Sequence, residues 1–213
     1  MITPFESRNS KLGPRVVKAL KDRQFEAWYF TDPFEAVDLI MSLIPKIHVV
    51  SWGGTVTVTD LGIKDRLAAG GYTLLDRDKA ATPEERAEKM RQALLCDTFL
   101  MSANAISEDG QLVNIDGGGN RVAALCYGPK QVIVVAGINK IAKTLNDAVI
   151  RARTIAAPLN AQRFPENKTP CNETGSCADC KSPDTVCSHI VTTRYCKPAG
   201  RIKVVLIGKN LGL

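Results

Sequence analysis

The sequence predicts an α/β protein, a three-layer α/β/α sandwich around a mainly parallel sheet. Three observations carry this. Helical and strand signals alternate along most of the chain. The strand runs are apolar without polar alternation, as expected for strands covered on both faces. Helix-start signatures stand between such runs, at Asp32-Pro33-Phe34-Glu35 and Thr82-Pro83-Glu84-Glu85.

Residues 10–24 are amphipathic, with Leu12, Val16 and Leu20 at helical spacing, and FEAWYF (25–30) follows as a short strand. The helix from Pro33 is expected to turn Phe34, Val37, Met41 and Ile44 inward and to stop at Pro45. KIHVVSW (46–52) is a β-branched run that ends in Gly53-Gly54. Thr59 is the expected cap of a helix through Ala69, closed by Gly70-Gly71. YTLLD (72–76) suits a buried strand, and the helix from Pro83 should place Ala87, Met90 and Leu94 inward. TFLMSANAI (98–106) is the next strand, and SEDG turns it into QLVNI (111–115) as a local antiparallel hairpin. A glycine loop over 116–120 leads into RVAALCYG, and QVIVVAG (131–137) is the clearest strand. Ile141, Leu145, Ala148, Ala152 and Ile155 mark one long helix ending near Pro158. Residues 163–200 show little periodicity, and RIKVVLIGKNL (201–211) returns as a last strand. Without an internal repeat or a low-complexity linker, residues 1–213 are expected to form one domain, with 163–200 as an excursion inside it.

An apolar fraction of 45% with 23% charged residues is enough for a full core. No run approaches the roughly 18 apolar residues of a membrane span. The N-terminal residues lack the apolar stretch and cleavage site of a secretory leader, so the expected location is cytoplasmic. The formal charge of +6 is scattered and aromatics are only 6%, which argues against a nucleic-acid surface. A scattered positive surplus suits an anionic small molecule better.

In open parallel sheets, ligands sit outside the carboxyl ends of the strands. The unusual residues of this chain fall at such points. Gly53, Gly54 and Thr55 leave a strand, with glycines that let backbone N–H groups approach an anion and a helix N-terminus beyond. Asn104 precedes the hairpin, and Asp116, Gly118, Asn120 and Arg121 surround the triple glycine. Such polar side chains are costly to bury unless mutually satisfied or holding a ligand. An arginine beside a glycine loop suits a carboxylate or phosphate, and Asp116 has the chemistry to orient it or to act as a general base. Asp116 and Arg121 are therefore the catalytic candidates. Lys140, at the end of the 131–137 strand, is a further candidate anion contact, although a lysine at a helix start is more often simply solvated.

His48 and His189 are the only histidines; His48 suits a core position, while His189, two residues past Cys187, is placed to ligate a metal. Residues 171–196 hold five of the seven cysteines. Cys171, Cys177, Cys180 and Cys187 are spaced C-x5-C-x2-C-x6-C, with Cys196 as a spare. C-x2-C is a common chelating spacing, and four thiolates so close can meet at zinc or at an iron–sulfur cluster. The spacing matches no ferredoxin run. A redox-labile disulfide and unligated thiols stay open. Cys96 and Cys126 lie in apolar stretches, as inert core thiols do.

Three segments, SWGGTVT, NAISEDGQLVNIDGGGNRVAA and QVIVVAGINK, together closely resemble the LUD family, named for lactate utilisation proteins, and the resemblance extends through the closing RIKVVLIGKNLG. It implies a fold similar to ribose-5-phosphate isomerase, glucosamine-6-phosphate deaminase and the CoA transferases. It implies a role in bacterial lactate or related organic-acid oxidation alongside iron–sulfur oxidoreductase subunits. Two other functions stay open: an independent isomerase, deaminase or transferase acting on a phosphosugar or acyl-CoA, and a non-catalytic metal- or redox-sensing module. Assembly into a homo-oligomer is left open too. The separate ferredoxin-type domain of some longer lactate utilisation proteins has no counterpart in this sequence.

Overall fold

The first helix of the computed structural model, which describes residues 2–213, begins earlier than its apolar stripe. Thr3 caps α1 (Pro4–Asp22) through a reciprocal box with Glu6, the same Thr-Pro-x-Glu pattern as at Thr82. Leu12, Val16 and Leu20 are buried beneath it. β1 (Glu26–Phe30) follows, then α2 (Pro33–Ser42), capped by Asp32. The inner face of α2 is Ala36, Val37 and Ile40, whereas Phe34 is exposed, because helical spacing admits two faces and the sheet meets the other.

β2 (Val49–Trp52) runs into α3 (Val56–Asp60), whose cap is Thr55 rather than Thr59. Gly62, in the left-handed region at φ 65°, separates it from α4 (Ile63–Ala69). β3 (Thr73–Leu75) is an edge strand and only half-buried, contrary to the expected buried one. α5 (Pro83–Gln92) has no buried residue; Ala87, Met90 and Leu94 are half-buried.

The apolar run 98–106 divides into two strands of different sheets, β4 (Thr98–Met101) and β5 (Ala105–Ser107). β6 (Leu112–Asp116) pairs antiparallel with β5, which is the expected hairpin. α6 (Asn120–Cys126) and β7 (Gln131–Gly137) come next. Ile141 belongs to a two-residue strand, β8 (Ile141–Ala142), and the long helix begins only at α7 (Leu145–Arg151), capped by Thr144. It passes through a π-helical stretch, Ala152–Ala156, into α8 (Ala157–Ala161). Pro158 therefore sits inside the helical rod, where the wider turn spares it an i−4 hydrogen bond. The cysteine segment is less irregular than its sequence suggests, with α9 (Pro170–Thr174) and β9 (His189–Thr193) before β10 (Ile202–Ile207).

Six parallel strands in the order β1-β10-β7-β4-β2-β3 form the main sheet. A second sheet has the order β8-β5-β6-β9, and β9 pairs antiparallel with β6 from Leu112↔Thr193 to Asp116↔His189. Alternate residues of β7 serve two cores. Val132, Val134 and Ala136 join α1 and α6, while Ile133 and Val135 join α2, α3 and α4. A third apolar layer packs Ala105, Val113 and Ile115 against Ala148, Ala152 and Ala157. Burying each fully enclosed Leu, Val or Ile is worth about 1.5–3 kcal/mol, so these layers hold the strand ends in fixed register. The expected three-layer α/β/α architecture with a mainly parallel sheet is present, with the small sheet added. Among the described residues, no helix is long and apolar enough to cross a membrane.

Candidate functional site

A cavity of about 510 Å³ opens at the carboxyl edge of the main sheet. The chain reaches it after four parallel strands: at Gly54–Thr57 after β2, Arg77 and Asp78 after β3, Ser102–Asn104 after β4, and Lys140 after β7. The turn from β6 into α6 supplies the opposite wall, with Asp116, Gly118, Asn120 and Arg121. Of the residues expected from sequence, Gly54, Thr55, Asn104, Asp116, Gly118, Asn120, Arg121 and Lys140 all line this cavity. Gly53 does not line it, but supports it: a Cβ there would stand 2.7 Å from Arg121 Cδ.

Arg121 is held at both ends. Its backbone N–H donates to Asp116 Oδ2 at 2.8 Å, and the Val122 N–H donates to the same oxygen at 3.1 Å. Asp116 thus anchors the N-terminus of α6 by accepting two of its unpaired donors, and it orients Arg121 through the backbone rather than by an ion pair. The guanidinium donates to Asn104 Oδ1 at 3.2 Å and to the Ile115 carbonyl. Asn104 Oδ1 also accepts from Ile115 N–H at 2.9 Å, so one amide ties β6 to the arginine. Burial pushes the Arg121 guanidinium below its ordinary value, with the charge of Asp116 opposing that shift. A guanidinium still stays protonated under such a shift.

Lys140 departs most from the solvated lysine its sequence position suggests. It is 3% exposed. Its Nζ donates to Ser102 Oγ at 2.8 Å and to Thr57 Oγ1 at 3.3 Å. Burial, then the charges of Arg151 and Arg121, brings its amine down to about 7. Among the described residues, neither Lys140 nor Arg121 has a carboxylate within ion-pair distance.

A third cation, the half-buried Arg77, escaped sequence reasoning, although it follows a strand end as Lys140 does. Gly54 makes room for it, since a Cβ there would lie 3.0 Å from Arg77 Nη2. Its Nε is buried without a hydrogen bond, 3.7 Å from Asp78 Oδ1. Burial works against the charge of Asp78, but hydrogen bonds from Trp52 Nε1 and Lys64 Nζ, each 3.3 Å, hold its carboxyl below the usual range. Arg163, at the end of the long helix, also lines the cavity, and no local signal in the sequence marks it. Arg151 braces the floor from α7, donating from Nε to the Asn139 carbonyl at 3.0 Å and from Nη1 to the Asn104 carbonyl.

The cysteines divide differently from expectation. Cys171, Cys177, Cys180 and Cys187 all line a second cavity of about 190 Å³. All seven cysteines are free. Among the described residues, no three His, Cys, Asp or Glu side chains stand close enough together to hold a metal ion. Cys196 is no spare ligand: it is fully buried in the main core, where its sulfur accepts from Ile202 N–H at 3.3 Å. Cys126 is exposed rather than core, while burial pushes the Cys96 thiol up to about 12 and leaves it inert. His189 starts β9 and lies over Gly119, where a Cβ would be 3.0 Å from its Cε1, and it does not line the cysteine cavity. His48 is half-buried and sits just before β2, its Nδ1 2.9 Å from Thr98 Oγ1.

Fold and cavity together define an α/β/α protein with a cation-lined opening at its strand ends. The chain belongs to the LUD domain family, which it matches over residues 14–207; the family is related to lactate utilisation proteins. In fold it is similar to a DUF162 family protein from Deinococcus radiodurans, with 11% identity, 93% of this chain and 97% of that chain covered, and a TM-score of 0.51. A ribose 5 phosphate isomerase A from Neisseria gonorrhoeae is more distant, with 14% identity over 68% of this chain and 57% of that one and a TM-score of 0.33. No curated protein matches the chain.

Proposed function

We propose that the strand-end cavity binds a small anionic metabolite, and that the protein serves bacterial lactate or related organic-acid utilisation together with iron–sulfur oxidoreductase subunits. One observation carries the anion reading. Buried Lys140 and half-buried Arg121 bring positive charge to opposite sides of one cavity, neither with a carboxylate at ion-pair distance among the described residues. Unpaired buried charge is costly, and an anion bound there offsets that cost. The Arg121 fork suits a planar carboxylate, and the Lys140 amine, flanked by two hydroxyls, suits an adjacent oxygen. In this reading Asp116 is a positioning residue, because its Oδ2 is engaged by the start of α6.

The size of the cavity supports a second reading. A three-carbon acid fills only a fraction of about 510 Å³, and Lys64, Arg77 and Arg86, gathered around Asp78, add a second group of cations to the lining. A phosphosugar or acyl-CoA would reach both groups. Calorimetric titration of the purified chain with lactate, pyruvate, ribose 5-phosphate and acetyl-CoA separates the two. Tight binding of the three-carbon acids supports the first reading, and binding of the phosphorylated ligands alone supports the second. Failure of all four anions to bind would remove the site.

A further inference from the structure

Between residues 163 and 195 only Thr169 is buried. A stretch of this length has no core of its own, and no disulfide closes it. Small or loop-rich units in that position are usually held by a cross-link or a metal. Yet the segment follows a defined path. Asp184 accepts from Lys168 N–H at 2.9 Å, Asn172 Nδ2 donates to the Phe164 and Asn167 carbonyls at 2.8 Å, and β9 pairs with β6 along its length.

That path brings four thiols separated by up to sixteen residues onto one cavity of about 190 Å³. The turn between Cys177 and Cys180 is made by Asp179 in the left-handed region, at φ 50°. Aspartate is among the few non-glycine residues that adopt this conformation readily, so the turn forms without strain. Asp179 is fixed in turn by an ion pair with Arg153. Two sulfurs also have hydroxyl neighbours, Thr169 Oγ1 at 3.3 Å from Cys171 Sγ and Thr185 Oγ1 at 3.1 Å from Cys187 Sγ. Thr185 Oγ1 accepts the Cys187 N–H at 3.3 Å, which leaves its own proton to be donated to sulfur. Hydrogen bonds of this kind stabilise thiolates and tune what they ligate.

The space between the thiols suits the larger of the two candidate groups. Zinc draws four thiolates to about 2.3 Å around one point. Here the four cysteines line a cavity of about 190 Å³, and no three of them stand close enough together for a single ion. A polynuclear cluster takes its thiolates at the corners of a larger core. We propose that Cys171, Cys177, Cys180 and Cys187 ligate an iron–sulfur cluster in this cavity. Its position is not remote from the anion site. Ala157, Thr185 and Val186 line both cavities, and the triple glycine admits that wall: a Cβ on Gly117 would meet Val186 Cα at 3.3 Å.

The test uses the full chain purified without oxygen, then incubated with ferric iron, sulfide and a thiol, with zinc in a parallel sample. The expected result is iron and acid-labile sulfide in equal amounts, with broad visible absorption that bleaches on reduction by dithionite. Cys177→Ser and Cys180→Ser should each lose most of the iron, while Cys126→Ser keeps it. Should the serine variants fail to fold, alkylation of the wild type decides the matter. In the loaded protein the four cysteines should resist iodoacetamide while exposed Cys126 reacts, and in the unloaded protein all five should react. Uptake of one zinc with no iron, absence of both metals, or equal alkylation of loaded and unloaded protein overturns the proposal.

Discussion

Gly53 and Arg121 are in contact across the wall of the cavity: a Cβ on Gly53 would lie 2.7 Å from Arg121 Cδ and 2.8 Å from its Cγ. The backbone of β2 continues through Gly53, whose N–H donates to the Leu100 carbonyl at 3.0 Å. The glycine cannot retreat, so any side chain there moves the arginine. Gly53→Ala should therefore weaken anion binding about as much as loss of the arginine, with less effect on stability. Titration calorimetry beside a denaturant melt checks this; unchanged affinity would show that Arg121 does not hold the ligand.

Arg121→Lys should fail to restore what Arg121→Ala removes. A lysine cannot donate at once to Asn104 Oδ1, to the Ile115 carbonyl and to a ligand with the geometry of a fork. The loss expected for a charge-assisted hydrogen bond, about 1.5–3 kcal/mol, corresponds to roughly ten- to a hundred-fold in Kd. Full recovery by lysine would mean that only net charge matters at this wall.

Lys140 makes stability depend on pH with a defined sign. Its amine titrates at about 7 in the folded protein against an ordinary 10.5. Between those values the unfolded chain binds more protons, so stability rises with pH, with a slope of at most about 1.4 kcal/mol per pH unit. The cost of burying the ammonium is fully present below pH 7 and gone above 10.5. Lys140→Met should abolish this contribution, as urea melts of both proteins from pH 6.5 to 9.5 would reveal. An anion bound beside the amine favours its charged form, so binding should take up a proton and weaken as pH rises past 7. Calorimetry in buffers of different ionisation heat reads that proton directly, and zero uptake contradicts the contact.

Asp116→Ala removes the acceptor for the Arg121 and Val122 N–H groups, and should cost about 1 kcal/mol, the usual value for a lost helix cap. Asp116→Asn keeps an oxygen at that place and should recover most of the loss in thermal denaturation. A role as cap alone predicts that the asparagine variant also retains anion affinity. A large loss of affinity in a stable Asp116→Asn protein would instead point to the charge of Asp116 acting on the ligand.

Much of the cavity was legible because its residues punctuate strand ends. Gly54, Asn104, Asp116, Arg121 and Lys140 are the glycines and polar side chains that interrupt apolar runs, and in a parallel sheet such interruptions lie at one edge. Other features had no local mark. The run 98–106 crosses from one sheet to another without a break in composition, so it looks like one strand. β9 is an edge strand with exposed residues and lacks the apolar signature of its neighbours. Cys126 and Cys196 changed places with expectation because burial depends on what packs above a residue, not on its sequence neighbours. Thr55 and Thr59 are chemically equal as caps, and only the backbone path out of Gly53-Gly54 chooses between them.

The sequence by itself determined the fold class, most helices and strands of the main sheet and the family, because periodicity, capping and turn chemistry act over a few residues. Only the tertiary structure decided which charges meet. β2 lies between β3 and β4, and β4 lies beside β7, so Gly54, Arg77, Asn104 and Lys140 come to one opening. The same packing buries Lys140 among hydroxyls instead of leaving it in water, and lays the cysteine segment against the triple glycine. Desolvation and proximity set the chemistry of those groups, and both arise only when distant parts of the chain close around them.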